Sequence, residues 1–120
     1  MAKQVEIRII EIVGGGLCLA SADGQKVYDA VAAALRAGRS VQLSFKGVED
    51  LTSAFLNTAI GQLYSEFPED EIRAKLSVVD ASQDDLFLLK RVVDRAKEFF
   101  KNPQRFRAAV RQALGEEDEP

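Results

Sequence analysis

The chain has 120 residues, the length of one domain, and 47% of them are hydrophobic, which is ordinary for a soluble fold and enough for a single core. Lys plus Arg is 16 against 19 Asp plus Glu; taking away the four acids of the terminal run Glu116–Glu119 leaves 15, so the body is near neutral and a general nucleic-acid binder is excluded. Histidine is absent, which removes the commonest general base and metal ligand, and the single cysteine, Cys18, excludes an intrachain disulfide and fits a reducing compartment.

Residues 4 to 13, QVEIRIIEIV, set Val5, Ile7 and Ile9 against Gln4, Glu6 and Arg8, the period-two pattern of a strand with one wet face. Gly14-Gly15-Gly16 breaks it, and Leu17-Cys18-Leu19-Ala20 reads as a second short strand, so an N-terminal β-hairpin turning on glycine is expected. The triple glycine lacks the GxxxxGK[ST] signature and leads into a strand, so it is read as a turn and not a phosphate loop. Cys18, on an apolar strand, is expected to be buried as a small hydrophobe. Ser21 or Asp23 is expected to cap a helix that runs to Ala37, with Val27, Ala30, Val31, Ala34 and Leu35 inward and Gly38 closing it. Ser40 to Phe45 is a strand with Val41, Leu43 and Phe45 on one face.

Lys46 to Asp50 turn the chain into a second helix over residues 52 to 66, which Pro68 stops. Arg73 to Asp80 reads as the next strand. A third helix runs from Gln83 to about Lys101, with core positions Leu86, Leu89, Val92, Val93, Ala96, Phe99 and Phe100. Asn102-Pro103 signals an extra C-terminal helix with Phe106, Ala109, Val110, Ala113 and Leu114 as its stripe. Alternating strands and helices imply a compact mixed α/β domain with a mostly parallel sheet over residues 1–115; residues 116–120 form an acidic, solvated, disordered tail. No apolar run approaches the roughly 18 residues of a membrane span and no targeting pattern opens the chain, so a cytoplasmic protein is expected.

The second helix carries the most chemistry. On a wheel of 100° per residue, Phe55, Leu56, Ala59, Leu63 and Phe67 gather on the core side. Ser53, Asn57 and Gly61 follow one another at a spacing of four, and Tyr64 joins them, so the opposite stripe is small and polar until the tyrosine. Thr52 and Ser53 stand in the first turn, where an anion, including a phosphate on Ser53 itself, is favoured. The same hydroxyls also fit plain helix capping over a solvated face. Asp80, Asp84 and Asp85 follow a strand and open a helix, where capping explains acids as well as a metal would. Arg105, Arg107 and Arg111, with Lys97 and Lys101, read as a solvated basic side.

The segment FKGVEDLTSAFLNTAIGQLY, a short acidic turn, IRAKLSVVD and the helix LLKRVVDRAKEFF resemble the STAS-like domain family of unknown function, a bacterial and prophage family related to anti-sigma-factor antagonists. The likeness covers about residues 14 to 101. It implies a sheet with helices packed mainly on one face. In the antagonist relatives an Asp-Ser-Ser-Gly-type turn opens the equivalent helix, and one serine is phosphorylated by a partner that is kinase and anti-sigma factor in one. Thr52 and Ser53 stand at that turn, with Leu51 in place of the acid beside Asp50 and Ala54 in place of the glycine. The resemblance thus implies partner docking more than phosphorylation, and a histidine-kinase-like ATPase as the class of partner.

Together these readings lead to a non-catalytic regulatory module, without cofactor or metal, that binds a partner protein. Asp50, Thr52, Ser53, Asn57, Gly61 and Tyr64 form its docking face, and Ser53 or Thr52 is its phosphoacceptor. Two alternatives belong to other classes: a small nucleotide-binding or carboxylate-based enzyme using Asp50, Asp80, Asp84 and the glycine turn, and a self-associating structural subunit.

Overall fold

The computed structural model describes residues 4–101. In chain order they form β1 (Gln4–Arg8), α1 (Ile9–Val13), β2 (Leu17–Cys18), α2 (Ser21–Arg36), β3 (Ser40–Ser44), β4 (Asp50–Leu51), α3 (Ser53–Ala59), a 3₁₀ turn (Gly61–Ser65), α4 (Glu69–Lys75), β5 (Leu76–Val79) and α5 (Gln83–Lys101). The fold is mixed α/β, as expected, and its strand pairs are parallel. β3 lies between β1 and β5, and β2 pairs with β4 in a separate two-residue ribbon.

The register explains how the sheet is covered. Val5, Val41 and Leu76 share one row across the three strands, and Ile7, Leu43 and Val78 share another, while Glu6, Gln42 and Ser77 fill the row between. Alternate residues point to opposite faces of a strand, so one face is apolar and the other polar. Val41, Leu43 and Phe45 join a single core with Val27, Val31 and Leu35 of α2 and Phe55, Leu56 and Ala59 of α3. α2 lies on β1 and β3, and α4 on β3 and β5. The polar row is left facing away from this helical layer.

The expected core positions hold in α2 (Val27, Val31, Leu35), in α3 (Phe55, Leu56, Ala59) and in the segment after it (Leu63 and Phe67), all of which are buried, as is Cys18. Gly38 follows the last residues of α2 with φ +77°, a left-handed geometry that glycine adopts without a Cβ penalty, and its N–H donates to the Leu35 carbonyl at 3.0 Å.

Other expectations are corrected. No N-terminal hairpin forms: β1 pairs with β3 and β2 with β4, and the chain between them is helical. The doublet Ile9-Ile10 ends the alternation, and Ile9, Ile10, Ile12 and Val13 then follow helical spacing. Residue Ala20, not Ser21 or Asp23, is the N-cap of α2, with no side-chain capping bond. The helix expected over 52 to 66 breaks at Ile60 and tightens into the 3₁₀ turn. Arg73 to Lys75 belong to α4, not to the following strand. Pro68 opens that helix, with Glu69, Asp70 and Glu71 in its first turn, and Glu69–Arg73 and Glu71–Lys75 pair at a spacing of four. Leu86, expected inside, is exposed. The C-terminal helix with Phe106 and its stripe, the arginines 105, 107 and 111, and the tail 116–120 lie outside the described residues.

Candidate functional site

The start of α3 is held by one hydroxyl. Thr52 leaves β4 in extended backbone geometry (φ −118°, ψ 158°) as the helix N-cap. Its Oγ1 accepts a hydrogen bond from the Phe55 N–H at 3.1 Å and donates one to the Leu19 carbonyl at 2.7 Å. Its own N–H donates to the Cys18 carbonyl at 3.2 Å. Thr52 therefore ties α3 to the end of β2 and uses its hydroxyl both as donor and as acceptor. Ser53, the first helical residue, is exposed, and among the described residues its hydroxyl has no hydrogen-bond partner. It lines a shallow depression with Leu88, Arg91, Val92 and Arg95 of α5. Asp50, also exposed, pairs with Leu17 across the β2–β4 ribbon, and its N–H donates to the Gly16 carbonyl at 3.2 Å.

The rest of the predicted stripe runs along α5. Gly61 is buried, and a Cβ there would sit 3.6 Å from both Val92 Cγ1 and Ala96 Cβ, so the missing side chain lets α5 approach closely. Asn57 is exposed and, with Gly61, lines a groove of about 280 Å³ whose other wall is Arg95, Ala96, Phe99 and Phe100. Tyr64 is half-buried beside Phe67, Pro68, Lys97 and Phe100. Burial pushes its phenol up from the ordinary tyrosine value, and the nearby Glu69 adds to this. Ser53, Asn57, Gly61 and Tyr64 thus share one seam with α5. Asp50 and Thr52 stand at its N-terminal end, next to β2.

The sequence reading missed the apolar side chains around that end. Among the described residues the exposed large hydrophobics are Leu17 (56% exposed), Leu19 (45%), Leu86 (46%) and Phe87 (67%). The first two flank Cys18, Leu17 on β2 and Leu19 directly after it, and the last two stand in the first two turns of α5, so both pairs sit on or next to the elements that adjoin the start of α3. Their signal was present. With Cys18 inward, strand alternation turns Leu17 and Leu19 outward. Leu86-Phe87-Leu88-Leu89 sweeps about 300° of a helix at 100° per residue, more than one core-facing stripe can take.

The carboxylates of the enzymatic alternative do not converge. Asp80, at the end of β5 with φ +61°, accepts a hydrogen bond from the buried Ser44 hydroxyl at 2.9 Å; Asp50 is on β4 and Asp84 in α5. Among the described residues no group of three His, Cys, Asp or Glu side chains is placed to hold a metal ion, and no helix is long and apolar enough to cross a membrane. The triple glycine serves the fold: the Gly16 carbonyl accepts the N–H groups of Glu49 and Asp50, joining the start of β2 to the loop before β4.

A family model described as a STAS-like domain of unknown function (DUF4325) matches residues 23–86, more than half of the chain and all of α2 to β5 apart from the first two residues of α2. No curated protein and no solved structure matches the chain.

Proposed function

The chain belongs to this family of STAS-like domains, and from that premise we propose that it is a regulatory protein-binding module without catalytic activity of its own. It docks its partner through the surface at the start of α3. The observation that carries this reading is the placement of Leu17, Leu19, Leu86 and Phe87. The exposed large apolar side chains among the described residues collect on the two elements beside Asp50, Thr52 and Ser53. Exposed apolar clusters rimmed by polar groups mark interaction surfaces, and aromatic anchors contribute most of the affinity at such surfaces. Asn57, Gly61 and Tyr64 support the seam behind it by seating α5.

Ser53 is the phosphoacceptor in this proposal and Thr52 is not, because the Thr52 hydroxyl is already engaged on both sides. Arg91 and Arg95 stand beside Ser53, and guanidinium groups pair strongly with phosphate. A histidine-kinase-like ATPase is the partner class that the likeness to anti-sigma-factor antagonists favours, in the cytoplasm.

The test is capture of the partner from the native host by the wild-type chain and by Phe87→Asp. Phe87 is two-thirds exposed, so the variant is expected to melt like the wild type and to lose most of the partner. Equal recovery of the same partner by both chains would sink the docking surface. Ser53→Asp then separates contact from switch: reduced recovery with unchanged folding is the expected result, and undiminished recovery would remove Ser53 from the proposal.

A further inference from the structure

We propose that the chain pairs with a second copy of itself through the exposed face of α5, in a two-fold contact centred on Phe87. Asp84, Phe87 and Arg91 follow one another at spacings of three and four, so at 100° per residue they lie within about 60° of one another on the helix. All three are exposed, and Phe87 is the most exposed large hydrophobic side chain among the described residues. Neither Asp84 nor Arg91 takes part in an ion pair among the described residues, whereas their neighbours Lys90 and Asp94 neutralise each other at 2.9 Å. The stripe therefore presents an acid, an aromatic ring and a base in that order.

That order is self-complementary. An isologous contact sets one residue against a second and the second against the first. Two antiparallel α5 helices with Asp84 level with Arg91 of the second copy have their two-fold axis midway between these positions, beside Phe87. Both ion pairs then form at once and the two rings meet at the centre, where aromatic anchors contribute most. A parallel arrangement would set Asp84 on Asp84 and Arg91 on Arg91. Leu86, with Leu17 and Leu19 at the β2–β4 ribbon, extends the exposed apolar area beside the ring. An anionic membrane surface fits the stripe poorly, because Asp84 and Asp85 stand next to Phe87. The contact is small, so the dimer is weak. It covers Phe87 and so competes with the partner proposed above; that consequence rests on the partner reading, whereas the self-association does not.

Sedimentation equilibrium of the full-length chain is the test. The mass is expected to rise from one chain toward two between micromolar and millimolar concentration, and less so with added salt. Asp84→Arg and Arg91→Asp each turn two attractions into two repulsions and should weaken the dimer about tenfold. The combined variant Asp84→Arg/Arg91→Asp should restore it. Both positions are exposed, so all three variants are expected to unfold cooperatively, and recovery in the combined variant excludes a folding defect as the cause of the single losses. A chain that stays monomeric at millimolar concentration, a combined variant no tighter than the single ones, or growth beyond two copies would overturn the proposal. A monomeric chain that still loses its partner on Phe87→Asp would sink the self-association and leave the docking surface standing. A dimer with charge-swap recovery whose partner capture ignores Phe87→Asp would do the reverse.

Discussion

Glu66 shows what one side chain contributes to this fold. Its carboxylate takes a bidentate pair from Arg36 of α2 and a hydrogen bond from the Tyr28 hydroxyl at 2.7 Å, so it fastens α2 to the segment that follows the 3₁₀ turn. The Arg36 guanidinium first, and then the Tyr28 hydroxyl, hold the carboxyl down to about 2 from its ordinary 4.5. A folded value below the unfolded one means that the ionised form stabilises the native state. That contribution is complete above pH 4.5 and is lost as the pH falls toward about 2. Glu66→Gln removes the titrating group. The variant is expected to start less stable at neutral pH and to lose less than the wild type across this acid window. Denaturant titrations at several pH values would measure both curves. Parallel curves would mean that Arg36 and Tyr28 do not perturb Glu66.

At the scale of elements, the two glycines that face helices make opposite predictions. Gly24 is buried where α2 crosses α3, and a Cβ there would lie 2.5 Å from the Phe55 carbonyl oxygen and 3.1 Å from Thr58 Cβ. The nearest atom is backbone, so α2 and α3 must separate. Gly24→Ala is therefore expected to destabilise by about 1–3 kcal/mol, as overpacking does, despite a helix-propensity gain of up to about 1 kcal/mol. Gly61→Ala meets Val92 and Ala96 at 3.6 Å, ordinary contact, and should change stability by less than about 1 kcal/mol. Chemical denaturation of both variants checks the pair; equal losses would mean that α5 presses on Gly61 as tightly as α3 presses on Gly24. The sequence displayed these helices' inner faces because Phe55, Leu56, Ala59 and Leu63 recur at one helical period. It did not display the ends. α1 was hidden because Val5, Ile7 and Ile9 alternate until a single doublet changes the period. β4 is two residues long, too short for any period. α4 was hidden by the apolar residues of β5 directly after it. The candidate site was legible in part. Thr52 and Ser53 were found at the start of α3, but the seam along Asn57, Gly61 and Tyr64 needs α5 in place, and a pattern read one helix at a time does not supply its neighbour.

At the scale of the whole molecule, one core joins the three-stranded sheet, the helices and the small β2–β4 ribbon, and Cys18 reports on that union. The thiol is fully buried within the core although its strand pairs through only two residues. Burial, and then the charges of Asp23 and Asp85, push it above the ordinary thiol value, so little thiolate forms near neutral pH and reaction needs opening. Two kinds of opening differ in their consequences. If the ribbon is part of the global cooperative unit, a thiol reagent labels Cys18 only through unfolding, and the logarithm of the labelling rate rises with denaturant with the slope of global unfolding. If the ribbon detaches alone, labelling proceeds without denaturant and is nearly insensitive to it. The first outcome is expected, because Thr52 binds the carbonyls of both Cys18 and Leu19 while capping α3, so β2 cannot leave without undoing the start of that helix. Thr52→Val keeps the shape and removes both side-chain bonds. It should convert labelling toward the denaturant-insensitive kind and lower global stability by about 1 kcal/mol, as loss of an N-cap does. Denaturant-insensitive labelling already present in the wild type would show instead that the surface carrying Leu17 and Leu19 opens independently of the core.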